Sequence, residues 1–211
     1  MKIYVLTRTS GRPNYFRENV ESVKMQTYPN IEHIVCADDD ESFEYASKLV
    51  KNVIQVERNP KREEYGWMHS PYNLYCNKLM DQIKEPGWIM FLDDDDILAD
   101  RDAIRDMVRQ IENEDDMLIW RVKMPWGILP SRSFGHGVML TDITSNSFLF
   151  HSKHVWAAQW DEVKEGDYRV AQKLSRLLNV KWIDKVLCRV NNKPEAHKSS
   201  AGVGLGMRED K

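Results

Sequence analysis

The run Trp88-Ile89-Met90-Phe91-Leu92-Asp93-Asp94-Asp95-Asp96 constrains the chain more than any other stretch. Five apolar residues pass straight into four carboxylates. A short continuous apolar run is the pattern of a strand buried on both faces, and Pro86-Gly87 just ahead marks a fresh element starting at Trp88. The acids then stand at the carboxyl end of a buried strand, the edge where open α/β sheets bind ligands. Adjacent carboxylates repel one another, and a hard divalent cation that shares its shell with substrate phosphates would hold them together. The competing reading is a solvated, helix-capping turn. Asp100, ahead of a helical 103–110, is better placed to cap than to coordinate. An EF-hand is a poor fit, because Leu98 stands where that loop needs Gly and its closing Glu is missing.

The remaining elements follow a strand-helix alternation. Residues 3–6 read as a first strand. The polar loop Thr7-Arg8-Thr9-Ser10-Gly11-Arg12-Pro13 after it suits a nucleotide's base or phosphates, or serves as an ordinary connection that caps the next helix. A helix over 14–26 sets Phe16, Val20 and Val23 on one face. A second strand, 31–37, ends in a second acid cluster, Asp38-Asp39-Asp40-Glu41. A helix over 42–50 and a strand over 53–56 follow. Residues 58–70, with Arg62, Tyr65, Trp67 and His69, read as a long loop over the sheet edge, either functional or a solvated connection. A helix over 71–83 places Asn73 and Asn77 one turn apart. Beyond the central acids come a helix to 112, a strand over 117–123, an irregular 125–134 and weaker strand candidates at 137–140 and 146–151. Trp156 and Trp160 lie close together, and suit either a sugar ring or the core. An amphipathic helix then carries Asp167 in its first turn, where a carboxylate is favourable for the helix dipole alone. Residues 180–190 close the sheet.

This order predicts an α/β fold with a mostly parallel central sheet flanked by helices and a more irregular second half. The expected division is one domain over 1–192, with a nucleotide-binding half (1–100) and an acceptor half (101–192). A polar, Gly-rich tail over 193–211 carries His197. Two strands ending in acids put both clusters on one rim. With 42% hydrophobic and 30% charged residues the composition is that of a globular protein, and a net charge of -3 gives no electrostatic case for nucleic acid. No apolar run approaches a membrane span. Three well-separated cysteines, Cys36, Cys76 and Cys188, have no zinc spacing, and are expected to be reduced thiols in a cytoplasmic, intracellular setting.

Four stretches together resemble family 2 glycosyltransferases of the GT-A fold. They are the loop 7–13 with its helix ending in Gln26-Thr27-Tyr28-Pro29-Asn30, the strand ending Ala37-Asp38-Asp39, the Phe91-Leu92-Asp93-Asp94-Asp95-Asp96 run, and Gly166-Asp167-Tyr168-Arg169. The set also resembles the first domain of a large-virus member of that family. The resemblance implies a metal-dependent, inverting transfer from a nucleoside-diphosphate sugar, UDP- or dTDP-linked, to a glycan or glycoprotein hydroxyl. It places Asp38 on the nucleotide base, and Thr7, Arg8 and Arg12 in the nucleotide pocket. Asp93 meets the ribose with Asp94 beside it, and Arg62, Asn73 and Asn77 join the nucleotide-sugar contacts. It puts Mn2+ or Mg2+ on Asp95, with His197 as a further ligand, and makes Asp167 the general base. Trp156 and Trp160 are the expected sugar or acceptor contacts. Two positions depart from the family pattern. Asp40-Glu41 replaces the common Gly-Ser, and Gly166 stands where an acid is frequent, which keeps Glu165 as a substitute base. A sugar nucleotidyltransferase is the first rival, but it wants a Gly-rich phosphate loop and residues 7–13 hold only Gly11. A non-catalytic carbohydrate-binding module is the second, and intact Asp93, Asp95 and Asp167 argue against it.

Overall fold

The strand β1 (Ile3–Thr9) is buried along its whole length, and the sheet is laid down on both sides of it. The computed structural model describes residues 1–60 and 62–191. On one side of β1 lie the parallel strands β2 (Ile31–Ala37) and β3 (Asn52–Gln55), and on the other the parallel strand β4 (Trp88–Phe91). Helix α1 (Pro13–Lys24) joins β1 to β2, and α2 (Asp40–Ser47) joins β2 to β3. Helix α3 (Leu74–Met80) precedes β4. These connections make the doubly wound half. The chain runs outward from β1 to β3 and then returns to start β4 on the opposite side, so the switch point lies between β1 and β4.

The second half is mixed. Strands β5 (Asp96–Leu98), β6 (Asp116–Met124), β7 (Gly127–Leu129), β8 (Phe148–His151) and β9 (Asn179–Val190), with helices α4 (Ala103–Val108) and α5 (Gly166–Ser175), complete the order β3-β2-β1-β4-β8-β6-β9-β5, with β7 on β6. Strand β8 is antiparallel to both β4 and β6, whereas β9 runs parallel to β6.

Alternation along the strands builds the core. Tyr4 and Leu6 pack with Tyr75 and Leu79 of α3 and with Val170 and Leu174 of α5. Ile3 and Val5 point the other way, to Val23 of α1 and to Ile104 and Met107 of α4. Helices α3 and α5 therefore share one face of the sheet, which brings the start of α5 to the carboxyl ends of β1 and β4.

Three element readings are corrected. Residues 137–140 form no strand, because Gly137 and Thr141 have positive φ and the Asp142 carboxylate draws the backbone N–H groups of Ser131 (2.8 Å) and Ser133 (2.6 Å) into a folded loop. That pairing holds Asp142 at a pKa of about 2 against the effect of burial. The last strand lies inside the sheet rather than closing it, because Asp96 leaves the acid run as the first residue of β5 and pairs with Val190 beyond it. The region expected as one helix over 71–83 is a 3-10 turn, Pro71–Asn73, followed by the shorter α3. Proline fits the first helical turn, where its missing N–H has no intrahelical partner.

Candidate active site

The carboxyl ends of β1, β2 and β4 emerge side by side, and each acid cluster there meets an arginine. Arg8, the penultimate residue of β1, is buried, and its Nε and Nη2 grip Asp93 Oδ1 and Oδ2 at 2.8 and 2.6 Å. The Ser145 hydroxyl donates to Asp93 Oδ2 at 3.1 Å. Burial opposes ionisation of Asp93, but the charge and hydrogen bonds of Arg8 outweigh it, with Arg12 adding, and hold its pKa below the ordinary carboxylate value. The rings of Tyr72 and Trp160 flank the Arg8 guanidinium at 5.5 and 5.8 Å.

Asp94 has no exposed surface. It accepts from Thr9 Oγ1 at 2.9 Å and from Arg12 through Nε at 3.3 Å and through Nη2. Burial raises its pKa to about 7 against the pull of Arg12, and the neighbouring Asp95 charge adds to the rise. Asp95 is half-exposed at the rim and receives Arg12 Nη1 at 2.8 Å. Asp96 is buried, and its pKa rises well above the usual range through burial and then through its acidic neighbours. At the end of β2, Arg58 Nε and Nη2 each reach Asp38 at 3.2 Å, and Nη2 reaches Asp39 at 3.0 Å. The Tyr75 hydroxyl donates to Asp38 at 3.2 Å. Asp39 also caps α2 by accepting from the Ser42 N–H at 2.7 Å.

Asp167 faces this rim from the first turn of α5. A cavity of about 390 Å³ is lined by both Asp93 and Asp167, with Arg8, Tyr72, Asn73, Ser145, Trp160, Lys164 and Glu165 among the other lining residues. Asp167 is half-buried and accepts from the Tyr168 N–H at 2.8 Å. Burial raises its pKa, Arg8 opposes the rise, and Asp93 reinforces it. A carboxylate with a raised pKa in a cavity is suited to take up a proton. Gly166 is explained by packing. A Cβ there would lie 2.7 Å from Asn73 Nδ2 and 2.9 Å from Trp160 Cε3, so any side chain at this position would force a neighbour to shift. Glu165 is exposed and lines the same cavity.

The other sequence-selected residues fall into distinct places. Thr7 is fully buried, and its hydroxyl donates to the Leu92 carbonyl at 2.7 Å and pairs with His33 Nε2 at 2.9 Å, inside the sheet rather than on the cavity lining. Burial lowers the His33 pKa to about 3. Asn73 donates to the Val163 carbonyl at 2.7 Å, and Asn77 pairs with both backbone groups of Trp160 at 2.9 Å. The shared face of these two asparagines thus fastens residues 160–163. Arg62 pairs with Glu162 at 3.2 Å. Trp160 is core, 5% exposed, with a share in the cavity lining, whereas Trp156 is 69% exposed and is not part of that lining. His197 lies outside the described residues. Sequence reasoning did not single out Ser145, Tyr72 or Tyr75, which sit in the site through pairings across the sheet that no local spacing announces. Arg58 was visible only as one of several basic residues in the loop after β3.

A sequence model for Glycosyl transferase family 2 matches residues 4–129. The chain belongs to glycosyltransferase family 2. This glycosyltransferase shares its GT-A fold with solved structures of low sequence identity. S. aureus TarS 1–349 superposes with a TM-score of 0.72 at 20% identity, over 90% of this chain and 60% of that one. The same protein in complex with UDP-GlcNAc gives 0.69 at 20%, over 96% and 62%. The mannosyltransferase PcManGT from Pyrobaculum calidifontis, in complex with GDP-Man and Mn2+, gives 0.64 at 14%, over 94% and 59%. The chain thus spans about 60% of the length of these structures. No curated protein matches it significantly. Among the described residues no helix is long and apolar enough to cross a membrane.

A divalent cation fits the rim in one way only. Among the described residues no three His, Cys, Asp or Glu side chains converge on one point, so there is no all-protein cage. Asp95 offers a rim carboxylate in a cluster of hard oxygen donors, and Mg2+-like ions commonly take one or two carboxylates together with substrate phosphates.

Proposed function

We propose that this family 2 glycosyltransferase moves a sugar, with inversion, from a nucleoside-diphosphate donor to a hydroxyl of a glycan or glycoprotein. The carrying observation is a cavity lined at once by Asp93, held ionised by Arg8, and by Asp167, whose pKa is raised. Inverting transfer asks for two carboxylates in opposite states. One stays ionised to receive donor hydroxyls, and the other takes a proton from the attacking hydroxyl. Asp93 accepts the ribose hydroxyls, Asp38 with Arg58 beside it recognises the base, and Arg8, Arg62, Asn73, Asn77 and Asp94 shape and fasten the donor side. Asp167 is the general base, and the Trp160 ring borders the sugar. Asp95 holds Mn2+ or Mg2+, which when bound neutralises charge on the departing diphosphate. Arg12, paired to both Asp94 and Asp95, offsets part of the negative charge of that rim before donor arrives.

UDP or dTDP is the proposed nucleotide. The TarS complexes with UDP and UDP-GlcNAc support a uridine donor, and the PcManGT complex with GDP-Man and Mn2+ supports divalent metal use by the fold. The three cysteines are free and buried, in keeping with a reducing, cytoplasmic setting. Calorimetric titration with UDP, dTDP and GDP, each with Mn2+ and with chelator, tests the reading. Binding of UDP or dTDP that vanishes with chelator supports it. Equal binding with chelator removes the metal from the proposal, and no binding by any of the three overturns the donor class.

A further inference from the structure

We propose that Arg8 is a positioning residue that sets the spacing between Asp93 and Asp167, and is not itself a donor ligand. This rests on the reading of Asp167 as the general base. Arg8 commits its Nε and Nη2 to Asp93 at 2.8 and 2.6 Å, while Nη1 turns toward the Tyr72 carbonyl and Asn73 Oδ1 at 3.4 and 3.5 Å. Little of the guanidinium is left for a phosphate. The contacts continue beyond it. Asn73 donates to the Val163 carbonyl at 2.7 Å, and its amide packs so closely on Gly166 that a Cβ there would lie 2.7 Å away. Gly166 is the residue before Asp167. Trp160, which flanks the guanidinium, touches the same glycine. A path of contacts thus runs from the end of β4 through Arg8 and Asn73 to the start of α5. The planar fork is what the path needs, since a lysine in its place would supply one point charge.

The Arg8 charge itself favours the ionised form of Asp167, so charge and position are separated by Arg8→Lys, which keeps the cation and loses the fork: an ion pair with no positioning role would leave the Asp167 titration of that variant as in the wild type. The two roles separate in the titration of Asp167, followed by NMR of 13C-labelled aspartate carboxyls and assigned with Asp167→Asn. The other charged or titratable groups around Asp167 are Asp93, Tyr72, Cys76, Lys164, Glu165 and Tyr168, and the variants leave all of them in place. Arg8→Gln removes a cation that favours the ionised carboxylate, so the Asp167 midpoint is expected to rise by about one pH unit. Arg8→Lys keeps the charge and loses the fork, and a smaller rise is expected. If Arg8→Gln fails to fold, Arg8→Lys carries the test alone. An Asp167 midpoint in Arg8→Lys that stays where it is in the wild type overturns the proposal, whatever Arg8→Gln does. The titration needs no substrate. The catalytic reading is judged separately, by loss of transfer in Asp167→Asn, so either idea can fail without the other.

Discussion

The two sides of the cavity treat Asp93 and Asp167 in opposite ways. On the parallel half every strand-end acid cluster has an arginine: Arg8 on Asp93, Arg12 on Asp94 and Asp95, Arg58 on Asp38 and Asp39. On the mixed half Asp167 has no ion-pair partner among the described residues, and burial raises its pKa. The parallel half can do this because β1 and β2 end together at Thr9 and Ala37, and β4 ends at Phe91 opposite Leu6, so the polar residues after Leu6 run alongside the acids after Leu92. The mixed half offers Asp167 the N-terminus of α5, a weaker and partial positive charge. Asp93 and Asp167 thus acquire opposite titration behaviour, one held ionised and the other with a raised pKa, from the topology around them.

The largest effect that would break this contrast is expected at Asp167. Asp167→Asn should reduce transfer by roughly 10²–10⁴-fold, the range for loss of a general base, while calorimetry shows nucleotide binding unchanged. In the unaltered enzyme the rate should fall as pH drops through the raised pKa of Asp167, since the protonated carboxyl cannot accept the acceptor's proton. That acid limb should therefore lie above the ordinary carboxylate range. Transfer retained by Asp167→Asn would pass the role to Glu165 on the same cavity.

The parallel half can be dissected within one run of acids. Asp95→Asn should abolish the Mn2+-dependent part of UDP binding and leave thermal stability near the wild-type value, because its carboxylate is at the rim. Asp94→Asn should do the reverse. Its carboxylate is fully buried against Thr9 and Arg12, and loss of those charge-assisted bonds should cost about 1–3 kcal/mol, read from urea unfolding. Equal behaviour of the two variants would show that the run acts as one undivided cluster.

Gly166→Ala tests the join between the halves. The added methyl meets Asn73 and Trp160 below 3.0 Å, so one of them or α5 must shift, at a cost of about 1–3 kcal/mol. Transfer should fall more than nucleotide binding, since the shift falls next to Asp167 rather than at the strand ends. A stable variant with wild-type transfer would mean that α5 tolerates displacement.

How far the sequence revealed this follows from the range of the interactions. The central strand and its acids are legible because continuous apolarity and strand-end charge are local patterns, and so is the first-turn Asp167. The arginine partners are not. Arg8 lies 85 residues from Asp93 in the chain and Arg12 83 from Asp95, so their pairing depends on β1 lying beside β4. Gly166 looked like a departure from the family pattern, and became a packing requirement only once α3 and α5 were seen on one face. The mixed half was least legible. Its strands β7 and β8 have three and four residues, and their pairing follows from folded loops whose capping carboxylate, Asp142, gives no periodic signal.

The smallest expected effect lies at Trp156, and it sharpens the acceptor side. A tryptophan 69% exposed and apart from the cavity lining has little to lose on truncation, so Trp156→Ala should change stability by no more than about 0.5 kcal/mol in urea unfolding. Nucleotide binding should be unchanged as well, because the parallel half is untouched. Trp160→Ala is the contrasting variant. That ring packs edge-on to Phe91 at 5.1 Å, flanks Arg8 and is 5% exposed, so its loss should cost about 3–5 kcal/mol. The two tryptophans, four residues apart, would then report different things. A loss of transfer in Trp156→Ala with stability and nucleotide binding intact would extend the acceptor surface beyond the cavity to the exposed ring, and no effect on transfer would confine that surface to the side of α5.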